Sequence, residues 1–94
     1  MAGSRRSSRA LAVQALYQWG MNPCSAQELF AQFASQPKFK GCDQSHLKRL
    51  LEGVIDDQDR IDFHIEPCLT RALDEVDPIE LALLRVGTYQ LVEC

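Results

Sequence analysis

A basic and apolar stretch near the N-terminus is the best guide to the fold: residues 5–19 read RRSSRALAVQALYQW. Apolar residues recur in it at the spacing of one helix face, namely Ala12, Val13 and Leu16. The pattern predicts a first helix over residues 4–19 that ends at Gly20, because glycine suits the C-terminal cap of a helix. We expect Leu11 to lie on the opposite side of this helix, away from the core.

Positive charge is concentrated at the start of that helix. The first 20 residues carry three bases (Arg5, Arg6 and Arg9) and no acid, whereas the remaining 74 carry seven bases and 13 acids. Cations in the first turn oppose the helix dipole at a cost of a few tenths of a kcal/mol, up to about 1. A phosphate bound there from outside the protein would make this electrostatic contribution favourable. The arginines therefore indicate either an anion-binding helix end or side chains that are solvated or paired with acids of later helices.

Capping residues mark three further helix starts. Ser25 stands three residues before Glu28, which is the spacing of a capping box. Asp43 precedes a helical apolar period that predicts one continuous helix as far as Ile65. Asp77 stands before a proline that is tolerated at the first position of a helix. These signals predict an all-α bundle of about five helices.

The segments between the helices leave two alternatives open. Pro67 either breaks the helical period or opens a short helix. Lys38 and Lys40 fall in a loop, where they either reach an anion or remain solvated.

Polar clusters elsewhere in the chain give no catalytic or metal-binding pattern. Four acids crowd the later half of the third helix, but helical spacing spreads them around its axis, so a solvated face is predicted: Asp56, Asp57, Asp59 and Asp62. His64 is interpreted as a partly buried helix residue. The four cysteines are widely spaced and form no CxxC pair, which favours reduced thiols. We expect no enzyme activity, no cofactor and no metal.

No apolar run approaches the roughly 18 residues of a membrane span, and no secretory signal is evident. The sequence therefore predicts a cytoplasmic protein that does not bind membranes.

The last helix is apolar on nearly all sides. One face carries Ile79, Leu83 and Val86, and the opposite side carries Leu81, Leu84, Leu91 and Val92. A helix of this kind is normally buried on nearly all sides. The preceding helices can cover one face only, so we expect either a truncated fold or a homodimer or domain-swapped assembly.

Three blocks of the sequence resemble one family. Residues 5–17 (RRSSRALAVQALY), residues 51–54 (LEGV) and residues 79–91 (IELALLRVGTYQL) resemble, in the same order, blocks of the NusB family of antitermination factors. Members of that family continue with further helices after the third block, so the resemblance implies a single incomplete domain over residues 1–94. Within it, residues 1–8 are predicted to form a flexible arginine-rich arm.

The resemblance implies an all-helical RNA-binding factor that acts in ribosomal RNA transcription. Its expected partners are a single-stranded boxA-like RNA, ribosomal protein S10 and the transcription elongation complex. The implied RNA-binding residues are Arg5, Arg6, Arg9, Gln14 and Tyr17. Glu80 is the implied partner-binding residue, and Arg85 is a candidate for a structural ion pair.

Two other interpretations remain open. The first is the NusB-like N-terminal domain of a ribosomal RNA cytosine methyltransferase, which shares the fold and would make the chain part of an enzyme. A helical protein-interaction module that touches no nucleic acid is the second. Tyr17 illustrates the ambiguity, since an aromatic ring there suits either base stacking or core packing.

Overall fold

The structure, a computed structural model, describes residues 3–93. Five α-helices occur within this range, which confirms the all-α prediction: α1 (Arg5–Met21), α2 (Ala26–Phe33), α3 (Gln44–Asp56), α4 (Gln58–Ile65) and α5 (Pro78–Glu93). Short 3₁₀-helices cover Pro37–Gly41, Glu66–Cys68 and Leu73–Glu75. The first of these 3₁₀ segments, Pro37–Gly41, is called the lysine turn below.

The predicted helix starts are confirmed by their capping bonds. Backbone N–H groups in the first turns of α1, α2, α3 and α5 donate to side-chain oxygens of the residues just before them: Ser4, Ser25, Asp43 and Asp77. Such bonds satisfy N–H groups that have no partner within a helix, and each cap contributes about 1 kcal/mol. The local sequence therefore determines where these four helices begin.

The core forms where α1 packs against both α3 and α5. Because α1 has neighbours on two sides, its buried stripe is wider than the sequence pattern suggested: Ser8, Leu11, Ala12, Ala15 and Leu16. The prediction that Leu11 faces away from the core is wrong, since its side chain is only 2% exposed.

Several boundaries differ from the predicted ones. Helix α1 continues through Gly20 to Met21 and is capped at Asn22, whose N–H donates to the Gln18 carbonyl at 2.9 Å. The predicted third helix is divided at Asp57, whose backbone (φ −108°, ψ 26°) leaves the helical region. Pro67 breaks the helical period, because only a 3₁₀ turn follows α4.

A buried ion pair joins α4 to α5. Nε and Nη2 of Arg85 donate to the two carboxylate oxygens of Asp62, both at 2.9 Å. The prediction of a solvated face is therefore wrong for Asp62, which is held inside by a bidentate partner. Arg85 makes the structural ion pair for which the family resemblance made it a candidate. His64 is exposed rather than partly buried, because α4 buries only the side that carries Ile61, Asp62 and Ile65.

The outer side of α5 is uncovered, as the sequence predicted. Seven large apolar side chains are exposed among residues 3–93, and five of them lie on this helix: Ile79, Leu83, Leu84, Leu91 and Val92. Val86 was expected to share a face with Ile79 and Leu83, but it points into the core beside Ala82 and Tyr89. The exposed apolar surface of the described chain is therefore concentrated on one helix.

Other features of the described residues can be stated briefly. Cys24, Cys42 and Cys68 are free thiols, and Cys94 lies outside the described range. Within residues 3–93, no group of His, Cys, Asp and Glu side chains could hold a metal ion. None of the described helices has the length and apolar character needed to cross a membrane.

Candidate nucleic-acid interface

The three arginines occupy the first two turns of α1. All three are exposed, and within residues 3–93 the side chains of Arg6 and Arg9 have no ion-pair partner. Residues 1 and 2 of the predicted flexible arm lie outside the described residues, whereas residues 5–8 belong to α1. Flexibility of that arm stays a prediction.

The basic end of α1 is fixed by the segment that leads into α3. The Ser4 N–H donates to the Gly41 carbonyl, and the Asp43 N–H donates to the Ser4 carbonyl, each at 3.1 Å. The buried Ser8 hydroxyl donates to the Asp43 carbonyl at 2.7 Å. These bonds cross about 35 residues of sequence and hold the lysine turn against the start of α1.

Asp43 lies next to the arginines. Its Oδ1 accepts the cap bond from the His46 N–H, and its Oδ2 lies 3.8 Å from Nε of Arg5. The sequence left open whether the arginines pair with acids elsewhere in the chain. Arg5 does pair with such an acid, although its side chain stays 69% exposed. One carboxylate beside three arginines leaves this end of the helix positive.

Gln14 and Tyr17 continue the candidate surface along α1. Gln14 is exposed and lines a groove between α1 and the lysine turn, together with Ser7, Ala10, Leu11, Pro37, Lys38 and Gly41. Tyr17 is half-buried and borders a cavity of about 480 Å³ between the end of α1 and the start of α5. Eleven residues separate Arg6 from Tyr17, a rise of roughly 16 Å along a helix.

Glu80 lies apart from the arginines. It is in the first turn of α5, and the residues around it, Pro78 and Leu81, line the cavity at the C-terminal end of α1. Its carboxylate lies 3.4 Å from Nη2 of Arg71. The five candidate RNA-binding residues therefore lie on α1, whereas Glu80 lies on α5 and lines a separate groove with Arg71 and Leu83.

His46 lies beside this site, and the sequence analysis did not identify it. It is buried, and neither ring nitrogen has a hydrogen-bond partner among the described residues. Burial lowers the pKa of His46 below its usual value, and the charge of Arg5 lowers it further. Asp43 acts in the opposite direction, while Arg49 and Arg9 add smaller lowering effects. His46 lies four residues before Leu50, and this helical spacing was the sequence signal that His46 faces the core.

The arrangement suits neutralisation of phosphates rather than a reaction. Exposed guanidinium groups can donate bidentate hydrogen bonds to phosphate oxygens, and the amide of Gln14 can donate and accept. Lys38 and Lys40 of the lysine turn are also exposed and add positive charge nearby.

The sequence matches known proteins over nearly its whole length. The sequence model of the NusB family matches residues 6–94. The chain is 42% identical over 92 residues to a protein named transcription antitermination protein NusB from Pseudomonas fluorescens, and the match covers 98% of this chain and 55% of that protein. Proteins of the same name from Marinomonas sp. and Paraburkholderia phymatum are 42% and 40% identical, over 93% and 97% of this chain and 51% and 63% of their own lengths.

The chain thus spans about half the length of the relatives that it matches. The family match includes Arg6 and Arg9 at the basic end of α1 and the whole of α5. On this evidence, the chain belongs to the NusB family.

Proposed function

We propose that this chain is an RNA-binding transcription antitermination factor, or the RNA-binding part of one, that recognises single-stranded boxA-like RNA. The residues proposed to contact RNA are Arg5, Arg6, Arg9, Gln14 and Tyr17. The observation that carries the proposal is the exposed arginine cluster on α1, in which Arg6 and Arg9 have no ion-pair partner within residues 3–93. The names of the matched relatives supply the antitermination role.

Charge placement at α1 supports an anionic ligand. The arginines oppose the helix dipole in the free protein, and phosphates would reverse that unfavourable term. Because Ser4, Ser8 and Asp43 fix the end of α1, little ordering of the backbone would be needed on binding. Single-stranded RNA is favoured over duplex because its bases are free to stack on an aromatic ring such as that of Tyr17.

Ribosomal protein S10 and the transcription elongation complex are the proposed protein partners. We propose Glu80 as the S10-contacting residue, since its carboxylate is exposed in the first turn of α5. The proposal also implies a cytoplasmic location, where bacterial transcripts are made, and no enzyme activity of the chain itself. The relatives' names favour this role over a methyltransferase domain or a module that binds protein alone.

Binding of a boxA-like RNA oligonucleotide tests the proposal. Fluorescence anisotropy at two salt concentrations, with and without S10, compares this RNA with a scrambled strand of the same composition. We expect tighter binding of the boxA-like strand than of the scrambled strand. Phosphate contacts alone are sensitive to salt and blind to sequence, so such a difference would show that bases are contacted.

Arg6→Ala identifies the binding surface. We expect about tenfold or greater weakening, because a charge-assisted hydrogen bond contributes about 1.5–3 kcal/mol. Lys48→Ala is the matched control, since Lys48 is an exposed base that lines a different groove between α2 and α3. Equal affinity for both strands, or equal effects of the two substitutions, would contradict the proposal.

A further inference from the structure

The groove between α1 and the lysine turn has the composition of a site for one nucleotide. Its lining includes the small side chain of Ala10 and the buried Leu11, and its volume is about 390 Å³. Known small-molecule sites have volumes of about 300–1,000 Å³. Gln14 lines the groove from α1 and Lys38 lines it from the lysine turn.

The structure fixes Lys38 at this position. Phe39 is buried and packs edge-on against Phe30, with ring centroids 5.3 Å apart. A 3₁₀-helix has three residues per turn, so anchoring Phe39 turns Lys38 and Lys40 outward to either side. Both lysines are exposed, and only Lys38 lines the groove.

The groove is continuous with the arginine surface. Ala10 follows Arg6 by one helical turn, and Ser7, Ala10 and Gln14 follow one another at the spacing of a single stripe along α1. A strand held by Arg6 would therefore meet a small, exposed residue, Ala10, one helical turn further along α1. Within residues 3–93, Lys38 has no ion-pair partner that would have to be displaced by a phosphate.

We propose that Lys38 is a further RNA-binding residue, which contacts a backbone phosphate of the strand while the attached nucleoside lies over Ala10 beside Gln14. This inference rests on the proposed function, because it extends the same RNA path from α1 onto the lysine turn. It adds a positively charged contact from a second element, 24 residues from Gln14 in sequence.

Lys38→Gln and Lys48→Gln form a matched pair for the test. Both remove one positive charge from an exposed side chain, but Lys48 lies in the groove between α2 and α3. The dissociation constant for the boxA-like RNA is measured from low to moderate salt for the wild type and both variants. We expect Lys38→Gln to weaken binding about three- to tenfold at low salt and to reduce the slope of log K against log salt by about 0.7, the value for one phosphate contact on a single strand.

A charge-retaining variant and a folding control complete the experiment. Lys38→Arg is expected to retain wild-type affinity within about twofold, and thermal unfolding should be the same for all Lys38 variants because the side chain is exposed. Equal effects of Lys38→Gln and Lys48→Gln, with Arg6→Ala still weakening binding, would overturn this inference and leave the proposed function standing. No RNA binding by the wild-type chain would overturn both.

Discussion

His46 shows how one buried side chain makes stability depend on pH. Its pKa is lowered in the folded chain by burial and by the charge of Arg5, against a usual value of about 6.5. Well above pH 6.5 the imidazole is neutral in both the folded and the unfolded chain and adds no pH dependence. Below that value the unfolded chain takes up the proton first, so the free energy of unfolding falls until the pH drops below the lowered pKa of the folded state.

Substitution of His46 should therefore reduce acid sensitivity. We expect His46→Phe, which keeps an aromatic ring in the buried position, to lose less stability than the wild type between pH 7 and pH 5. Urea unfolding at both pH values measures this difference. His64→Gln is the control, since it removes the other histidine, which is exposed, and leaves the buried position intact. A wild-type pH dependence in His46→Phe would show that other groups cause the acid sensitivity.

Gly53 allows α3 and α5 to approach closely. A Cβ at this position would overlap the ring of Tyr89. We expect Gly53→Ala to lower the free energy of unfolding by about 1–2 kcal/mol, because overpacking costs about 1–3 kcal/mol and the better helix propensity of alanine recovers up to about 1. Gly87→Ala is the matched control, since a Cβ there meets nothing within 4 Å. It should raise stability by up to about 1 kcal/mol in the same unfolding experiment, and an equal gain in Gly53→Ala would contradict the packing argument.

Helix starts were predictable from the sequence because capping is local. Each cap bond joins residues two or three positions apart, as between Asp43 and the His46 N–H. The division at Asp57 and the burial of Leu11 were not predictable, because both depend on which helices pack together. The same limit applies to Asp62, whose burial depends on Arg85, 23 residues away.

The candidate site was predictable only where it lies on one element. The arginines are neighbours along α1, so their spacing alone placed them on one helix end. Lys38 and His46 belong to elements that are held against α1 by hydrogen bonds of Ser4 and Ser8. No local sequence pattern predicts this contact between distant parts of the chain. The RNA ligand itself came from the family resemblance and not from charge placement.

Asp43 links the stability of α3 to the charge of the α1 end. Asparagine caps a helix about as well as aspartate, whereas alanine does not. We expect Asp43→Asn to keep the stability of the chain and to tighten RNA binding a few-fold at low salt, because it removes the carboxylate that lies 3.8 Å from Arg5. Asp43→Ala should tighten binding similarly but also lower the free energy of unfolding by about 1 kcal/mol.

Anisotropy and urea unfolding of these two variants separate the roles of the carboxylate. Asp77→Asn, at the cap of α5, is the matched control and should leave RNA affinity unchanged. Weaker RNA binding by Asp43→Asn would mean that the carboxylate orients Arg5 for the ligand and does not compete with it.

At the scale of the whole molecule, the uncovered side of α5 governs behaviour in solution. Exposed leucines on this helix include Leu83 at 54% and Leu91 at 88%. Leu83 and Leu84 also border a groove formed with Leu69 and Val76. Contiguous exposed apolar surface favours association, and in a purified solution the only such surface available is that of another copy.

We therefore expect the purified chain to self-associate as its concentration rises, as measured by sedimentation velocity. Leu83→Lys should shift the equilibrium toward monomer, because pairing two α5 surfaces would then bury an unpaired ammonium group. Phe63→Lys is the matched control: Phe63 is 73% exposed, but it belongs to α4 and not to α5. A wild-type chain that stays monomeric throughout, or equal shifts in the two variants, would show that α5 is not the associating surface, since only Leu83→Lys places a charge on it.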